Sequence, residues 1–277
     1  MLGIVPIAPV FLAAGVLVTA ALIGGRAGAG ATVIVGLLAA LLLPGTVVPR
    51  TGCDVTARGL GDSIVVMSHN ALVGNRETST LVNQFEHVNP DVLLLQETTG
   101  ELFDEIYPAL SQRYPHVISL GLQHIVSRWE LSEPFEYGTS TGGVLAASVD
   151  SPLGSIRIAN VHPSAPVSME RRSNQREEYA QMQTWRVEES VDVLMGDFNA
   201  GLAHAIYRDI VSDGYLDAHR SSGCGTGLTW SPGTGLPAVL SLDHALVQER
   251  LVAESFEVLD SAGSDHKAIA VRLAIAE

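Results

Sequence analysis

The sequence predicts an α/β fold behind an apolar N-terminal segment, and three observations carry that prediction. From residue 63 onward, short apolar runs of strand length alternate with segments of helical spacing. Most of those runs end in one or two polar side chains, after which the chain turns. The first 50 residues differ in kind, holding no Asp or Glu and only two basic side chains, Arg26 and Arg50. A chain of 277 residues suffices for one large α/β domain plus an appendage.

Residues 3–24 carry no charge over a length that crosses a bilayer as helix. A tight break, Gly25 to Gly30, separates them from a second uncharged run, 31–48. The pattern predicts a hairpin of two transmembrane helices, about 3–24 and 31–48, in a multi-pass protein of the cell membrane whose first partner is the lipid bilayer. Pro6 and Pro9 allow the first span to begin a turn or two late. A signal peptide with an apolar pro-segment is the competing reading, disfavoured because the second run is long and follows closely. Sidedness is contested: Arg26 in the connecting loop favours an external domain, Arg50 and Arg58 the reverse. Residues 51–62 form a Gly-containing linker to a domain over 63–277.

The remainder of the chain, 51–277, carries 14 basic against 30 acidic side chains, a net charge of −16. Such a domain is repelled by a polyanion, which weighs against DNA binding through a broad electrostatic footprint. Cys53 and Cys224 are the only cysteines, and their separation excludes a paired Cys-x-x-Cys zinc site. The pair is compatible with a disulfide, which would imply an oxidising compartment, or with two unpaired thiols.

Taken in order, Ile64 to Met67 predicts a buried strand delivering Ser68-His69-Asn70 at its end. Glu77 to Val88 has Leu81, Val82, Phe85 and Val88 at helical spacing, and Asn89-Pro90 stops it. Asp91 to Leu95 is the next strand, ending in Gln96-Glu97. Glu101 to Arg113 predicts a helix with Leu102, Ile106 and Leu110 inward, kinked or divided at Pro108. Gly143–Val149 and Ser155–Val161 predict strands joined by the turn at 150–154, the second ending at His162-Pro163. Met169 to Glu189 predicts a polar helix rich in Arg and Glu. Val193-Leu-Met195 then runs as a strand into Gly196-Asp197-Phe198-Asn199. Period-two alternation puts Asp197 and Asn199 on one side and Phe198 on the other. Ala203 to Asp213 predicts a helix, and Ser221 to Ala238 a loop rich in Gly, Ser, Thr and Pro. The apolar run from Val239 contains Asp243-His244. Strands over Leu251–Leu259 and Ala268–Ile275 close the chain, with Ser264-Asp265-His266 between them.

Six polar termini thus recur: Asn70, Gln96-Glu97, His162, Asp197-x-Asn199, Asp243 and Asp265-His266. In an α/β fold, strand ends on one rim form a crevice for a ligand. Each has a bland alternative as a turn or capping residue, and Gly-Asp-x-Asn alone fits an Asx-turn equally well. Together the residue types are chemically coherent. Glu97 and Asp265 are hard oxygen donors and Asn70 adds a neutral oxygen, a set that suits Mg²⁺ or Mn²⁺ rather than zinc. Two histidines and a carboxylate–amide pair remain, which matches attack of water on a phosphoester.

These pieces, Ser68-His-Asn70, Gln96-Glu97, Asn160-Val-His162-Pro163, Gly196-Asp197-Phe-Asn199, Leu242-Asp243-His244 and Ser264-Asp265-His266, resemble the endonuclease/exonuclease/phosphatase superfamily, the DNase-I-like phosphoesterases, and its membrane-anchored bacterial members in particular. They fall in the family's order over roughly 63–275. The resemblance implies a four-layer α/β/β/α sandwich of two mixed sheets covered by helices. It implies Mg²⁺, with Mn²⁺ as a substitute, held by Glu97, Asn70 and Asp265. It assigns water activation to Asp197, phosphate steadying to Asn199, phosphate contact to His162 and His266, and orientation of His266 to Asp243. With the cysteine pair, it also tips the catalytic domain to the extracytoplasmic side. His69 and His244 are read as structural, and His87, His116, His124, His204 and His219 as surface or loop residues. No basic, aromatic-rich loop of a DNA groove is found, so the expected substrate is a lipid phosphate or pyrophosphate, with nucleic acid second. A tethered binding module that has lost catalysis is the rival from another class.

Overall fold

The structure, a computed structural model, describes residues 54–55, 62–139 and 142–276. Its strands are β1 (Ser63–Asn70), β2 (Val92–Gln96), β3 (His116–Leu120), β4 (Gln123–Ser127), β5 (Leu131–Thr139), β6 (Gly142–Ser151), β7 (Gly154–His162), β8 (Val193–Asp197), β9 (Tyr215–Asp217), β10 (Asp243–Gln248), β11 (Leu251–Val258) and β12 (Ile269–Ile275). The helices are α1 (Thr78–Val88), α2 (Gly100–Leu110), α3 (Met169–Glu188), α4 (Ala205–Ser212) and α5 (Ala218–Ser222).

The strands form two six-stranded mixed sheets, ordered β11-β12-β1-β2-β4-β3 and β5-β6-β7-β8-β10-β9. Each sheet contains one parallel pair, β1/β2 and β7/β8, and each pair is joined by a crossover helix, α1 and α3 respectively. Strands at the sheet centres are apolar on both faces, because both are covered. Ile64, Val66, Val92 and Leu94 of the first sheet pack against Ile158, Val193, Met195 and Val247 of the second. Val65, Met67, Leu93 and Leu95 face Leu81, Phe85, Leu102 and Ile106 of α1 and α2. Ala159, Val161 and Leu194 face Tyr179, Met182, Tyr207 and Ile210 of α3 and α4. Helix, sheet, sheet and helix therefore make four layers around three apolar seams.

The predicted helices are present, and α2 runs unbroken past Pro108. Pro108 and Asp104, four residues earlier, are both exposed, so the carbonyl that loses its helical partner has water instead. Thr99 caps α2 by accepting from the Leu102 amide at 3.2 Å, and Ser168 caps α3 by accepting from Arg171 at 3.1 Å. Strands β3, β4 and β5 were not predicted: their polar and aromatic content conceals the period, and β3 is an edge strand with half-buried side chains. His116 and His124 accordingly lie in strands rather than loops, and His124 is buried and stacked on Phe103 at 4.0 Å.

The expected multi-pass membrane location is corrected. Among the described residues no helix is long and apolar enough to cross a membrane. The two runs on which the expectation rested, 3–24 and 31–48, lie outside the described residues, as does most of the 51–62 linker. Cys224 is disulfide-bonded, and Cys53, the chain's other cysteine, lies outside the described residues.

Candidate functional site

Register places the polar termini together. Asn70 pairs with Gln96 across β1/β2, Val161 with Gly196 across β7/β8, and Asp243 with Asp197 across β8/β10. Asp243 does not end a strand, as the polar-terminus pattern proposed; it opens β10. Because β10 is antiparallel to β8, its start lies at the rim where β8 ends. Asp265 and His266 likewise precede β12, which is antiparallel to β1.

The turn at each terminus is built locally. Gly196 adopts φ +151°, and a Cβ there would stand 2.1 Å from the Val161 carbonyl oxygen, so only glycine lets β8 approach β7 this closely. Glu97 follows β2 in a left-handed conformation, φ +52°, and Asn199 does so after β8, φ +47°. Asn199 therefore stands outside the strand, and hydrogen bonds rather than alternation turn it toward Asp197. Its amide N–H donates to Asp197 Oδ1 at 2.8 Å and its Nδ2 to Asp197 Oδ2 at 3.3 Å and to the Pro163 carbonyl at 3.0 Å. Phe198, as alternation predicts, is buried on the α3/α4 side.

At the centre, Asn70 Nδ2 donates to Glu97 Oε1 at 3.1 Å and to Asp197 Oδ2 at 3.0 Å, tying the two sheets together through one amide. His162 Nε2 lies 3.5 Å from Glu97 Oε1 and 3.7 Å from Asp197 Oδ2. His266 Nε2 lies 3.6 Å from Asp197 Oδ2, while its Nδ1 faces Asp243 Oδ2 at 2.9 Å. The loop carrying His266 is fastened to the end of β1 by Ser264, whose hydroxyl donates to the Asn70 carbonyl at 2.7 Å and accepts from the His266 amide at 3.0 Å. Asn70, Glu97, His162, Asp197, Asn199, Asp243 and His266 thus form one connected cluster. Asp265 reaches it through its neighbour: Oδ2 accepts from the Trp230 indole at 3.2 Å, and Trp230 bridges to His266. Its Oδ1 is buried and has no hydrogen-bond partner among the described residues.

The electrostatics separate the carboxylates. Burial opposes charge on Glu97, but hydrogen bonds from His162 and Asn70 outweigh it and hold the carboxyl at about 2. Burial raises Asp197, Asp243 raises it further, and the charge of His266 acts the other way. Burial opposes charge on His266 too, yet the carboxylates of Asp243 and Asp197 overcome it and carry the imidazole to about 10. One acid is therefore a fixed anion and the other a buried base of raised proton affinity.

The donor set fits a hard divalent cation: several carboxylate oxygens at one rim, the Asp265 oxygen buried and unpaired, and Asn70 Oδ1, which accepts from the Leu72 amide at 3.1 Å and keeps a second lone pair. Asp197, Asp243 and His266 offer ligand atoms within 4.8 Å of one another. This trio is not the predicted set of Glu97, Asn70 and Asp265. In it, Asp243 and His266 Nδ1 already satisfy each other, which leaves Glu97 the freer anion.

Trp230 and Ser264 were not predicted as site residues. Ser264 stands inside the Ser-Asp-His motif, but Trp230 meets Asp265 across 35 residues and leaves no local signal. Behind the cluster, Gln96 Nε2 donates to Ser68 Oγ at 2.9 Å and to Asn160 Oδ1 at 2.6 Å, and Asn160 Nδ2 donates to the Leu95 and His124 carbonyls. This buried network cross-links the two sheets. His69 is buried edge-on to Phe85, and His244 Nε2 lies 2.9 Å from the Ala200 carbonyl oxygen; both are structural.

A model of the Endonuclease/Exonuclease/phosphatase family matches residues 67–266. No curated protein matches the chain. Among solved structures, a family protein from Bacteroides thetaiotaomicron is 17% identical with a TM-score of 0.67, covering 78% of this chain and 99% of that one. A mannosyl-6-phosphatase of Bacteroides thetaiotaomicron is also 17% identical, at TM-score 0.64, with coverage of 76% and 100%. Sphingomyelinase C from Streptomyces griseocarneus is 14% identical at TM-score 0.55, with coverage of 76% and 99%. At these identities the likeness is one of fold.

Proposed function

Because the chain belongs to the endonuclease/exonuclease/phosphatase family and is a hydrolytic phosphoesterase, we propose that the cluster at the strand ends hydrolyses a phosphoester with the help of a divalent cation. One observation carries the reading: Glu97 and Asp197, from different sheets, share the same two neighbours, Asn70 Nδ2 and His162 Nε2, within 3.7 Å. Two carboxylates of opposite proton affinity beside two histidines are suited to a reaction that removes a proton from water while negative charge builds on phosphorus.

Mg²⁺, or Mn²⁺ in its place, would be held by Glu97 with Asn70 and Asp265, and would neutralise charge on the phosphoryl oxygens. Asp197 accepts the proton of the attacking water, a role supported by its burial and raised affinity. Asn199, held by the Pro163 carbonyl, orients the phosphoryl group beside Asp197. Asp243 takes Nδ1 of His266, so that the protonated Nε2 faces the reacting group; His162 faces it from the other sheet. The favoured substrate is a phosphomonoester, phosphodiester or pyrophosphate, of a lipid or of a small molecule. The net −16 of residues 51–277 weighs against a nucleic-acid polyanion.

The test is hydrolysis of p-nitrophenyl phosphate, bis(p-nitrophenyl) phosphate and a lipid pyrophosphate by the purified chain with Mg²⁺ or Mn²⁺, beside plasmid nicking. Asp197→Asn is expected to lower turnover by roughly 10³-fold or more while leaving the unfolding midpoint near wild type. A variant that retained metal-dependent turnover would refute the role of Asp197. A wild-type protein inert to all four probes would refute the reading as a whole.

A further inference from the structure

Resting on the phosphoesterase reading above, we propose that Glu178 is a positioning residue for the reaction, acting through Ser164 on the Pro163 carbonyl and so on Asn199. Glu178 lies on α3, outside the cluster, and is only 6% exposed. Among the described residues no Arg, Lys or His forms an ion pair with it. Instead both its oxygens go to one residue: Ser164 donates its amide to Oε2 at 2.7 Å and its hydroxyl to Oε1 at 2.9 Å. A buried carboxylate without a cation is a poor way to stabilise a helix, since its desolvation must be offset by hydrogen bonds alone. What those bonds accomplish is local geometry. Ser164 is the second residue after His162, and the carbonyl between them, that of Pro163, accepts from Asn199 Nδ2 at 3.0 Å. Asn199 in turn reaches Asp197 Oδ2.

The neighbours of Glu178 on the same helical face do related work. Counted from Gln175, Glu178 and Tyr179 are positions i+3 and i+4, each a neighbour of Gln175 on the helix surface. Gln175 Nε2 donates to the Asn199 carbonyl at 3.1 Å, and Tyr179 Oη to the Phe198 carbonyl at 2.5 Å. Three side chains of α3 thus clamp the loops that follow both strands of the parallel pair β7/β8, each by a polar contact to backbone or to Ser164. Glu178 is the one of the three that holds the β7 loop; Arg172, earlier on α3, also reaches that loop by donating Nε to the Pro166 carbonyl at 3.1 Å, but it offers Ser164 no acceptor. Loss of Glu178 therefore frees the Pro163 carbonyl, and with it the amide that orients the phosphoryl group, without touching the substrate itself. A displacement of about 1 Å at such a group lowers turnover steeply.

The experiment compares Glu178→Gln, Glu178→Ala, Ser164→Ala, Asn199→Ala and the double variant Glu178→Ala/Asn199→Ala, in the full chain with Mg²⁺, on whichever of the four probes above the wild type turns over fastest. Glu178→Ala is expected to lower kcat roughly 10- to 100-fold with KM changed less than about threefold, and Glu178→Gln, which keeps one acceptor, to fall between it and wild type. Ser164→Ala, which removes one of the two bonds and leaves the helix intact, serves as the check on folding and should resemble Glu178→Gln. Because Glu178 acts through Asn199, the double variant should be no slower than Asn199→Ala alone. Unchanged kcat in Glu178→Gln and Ser164→Ala, or losses that multiply in the double variant, would overturn the proposal. If wild type is active and Asp197→Asn is not, that failure concerns Glu178 alone; if wild type is inert to all four probes above, both readings fall.

Discussion

Replacing Gly196 by Ala isolates the physical reason for the first residue of the Gly-Asp-x-Asn motif. A Cβ at 196 would lie 2.1 Å from the Val161 carbonyl oxygen and 2.9 Å from the Val161 carbonyl carbon and amide nitrogen, all backbone atoms of the neighbouring strand that cannot rotate away. Ordinary contact would require β7 and β8 to part by about 1 Å, against a core packed at crystal-like density. Backbone strain at φ +151° adds about 1–3 kcal/mol, and overpacking adds another 1–3 kcal/mol. The expected loss is about 2–6 kcal/mol, a large part of a domain's total stability. Gly154→Ala is the matched control, because Gly154 also has positive φ, +87°, but open space around its Cβ, so only the backbone part applies. Urea unfolding followed by circular dichroism measures both. Gly196→Ala should lose about 1–3 kcal/mol more than Gly154→Ala. Its folded fraction should also turn over slowly, since Asp197 is the next residue. Equal destabilisation of the two variants, or full turnover per folded molecule in Gly196→Ala, would show that close strand approach is not what places Asp197.

Two further perturbations follow from the same geometry. Glu97→Gln should weaken metal dependence, shifting the Mg²⁺ concentration for half-maximal activity upward by roughly tenfold or more, with partial rescue by excess Mn²⁺; an unchanged Mg²⁺ titration would remove Glu97 from the ligand set. His69 is buried neutral, its pKa brought to about 4 by burial that the charge of Asp243 only partly offsets. Its folded-state pKa lies below the unfolded 6.5, so its stabilising contribution is full above pH 6.5 and is lost as pH falls toward 4. That amounts to about 3 kcal/mol. Urea midpoints of wild type and His69→Leu between pH 7 and 4.5 test this: the wild type should lose stability more steeply, and parallel curves would refute it.

How far the sequence is legible differs between residues for physical reasons. Leu81, Phe85 and Val88 reveal α1 because a helix that buries one face must repeat its apolar residues near every third or fourth position. Val193 to Met195 reveals β8 because a strand covered on both faces is continuously apolar. Strands β3 to β5 escape that logic: β3 is half-buried, β4 is buried but carries Gln123, His124 and Ser127 among its five residues, and β5 is interrupted by a register shift between Ser132 and Phe135. His124 looks like a loop histidine until Phe103, 21 residues earlier in a helix, stacks on it. Asp243 reads as a strand's end although it is a strand's beginning, since chain direction within a sheet cannot be inferred from apolar runs.

The sequence by itself determined which side chains stand at the ends of strands, because period and polarity are local properties of the chain. It also carried the motifs by which Glu97, Asp197 and His266 are picked out. Only the tertiary structure decided that Asn70 bridges the two carboxylates, that Trp230 reaches Asp265, and that α3 grips the loops behind His162 and Asn199. Those relations span between 14 and 127 residues, and they are set by strand order, register and the packing of two sheets, none of which leaves a trace in neighbouring positions.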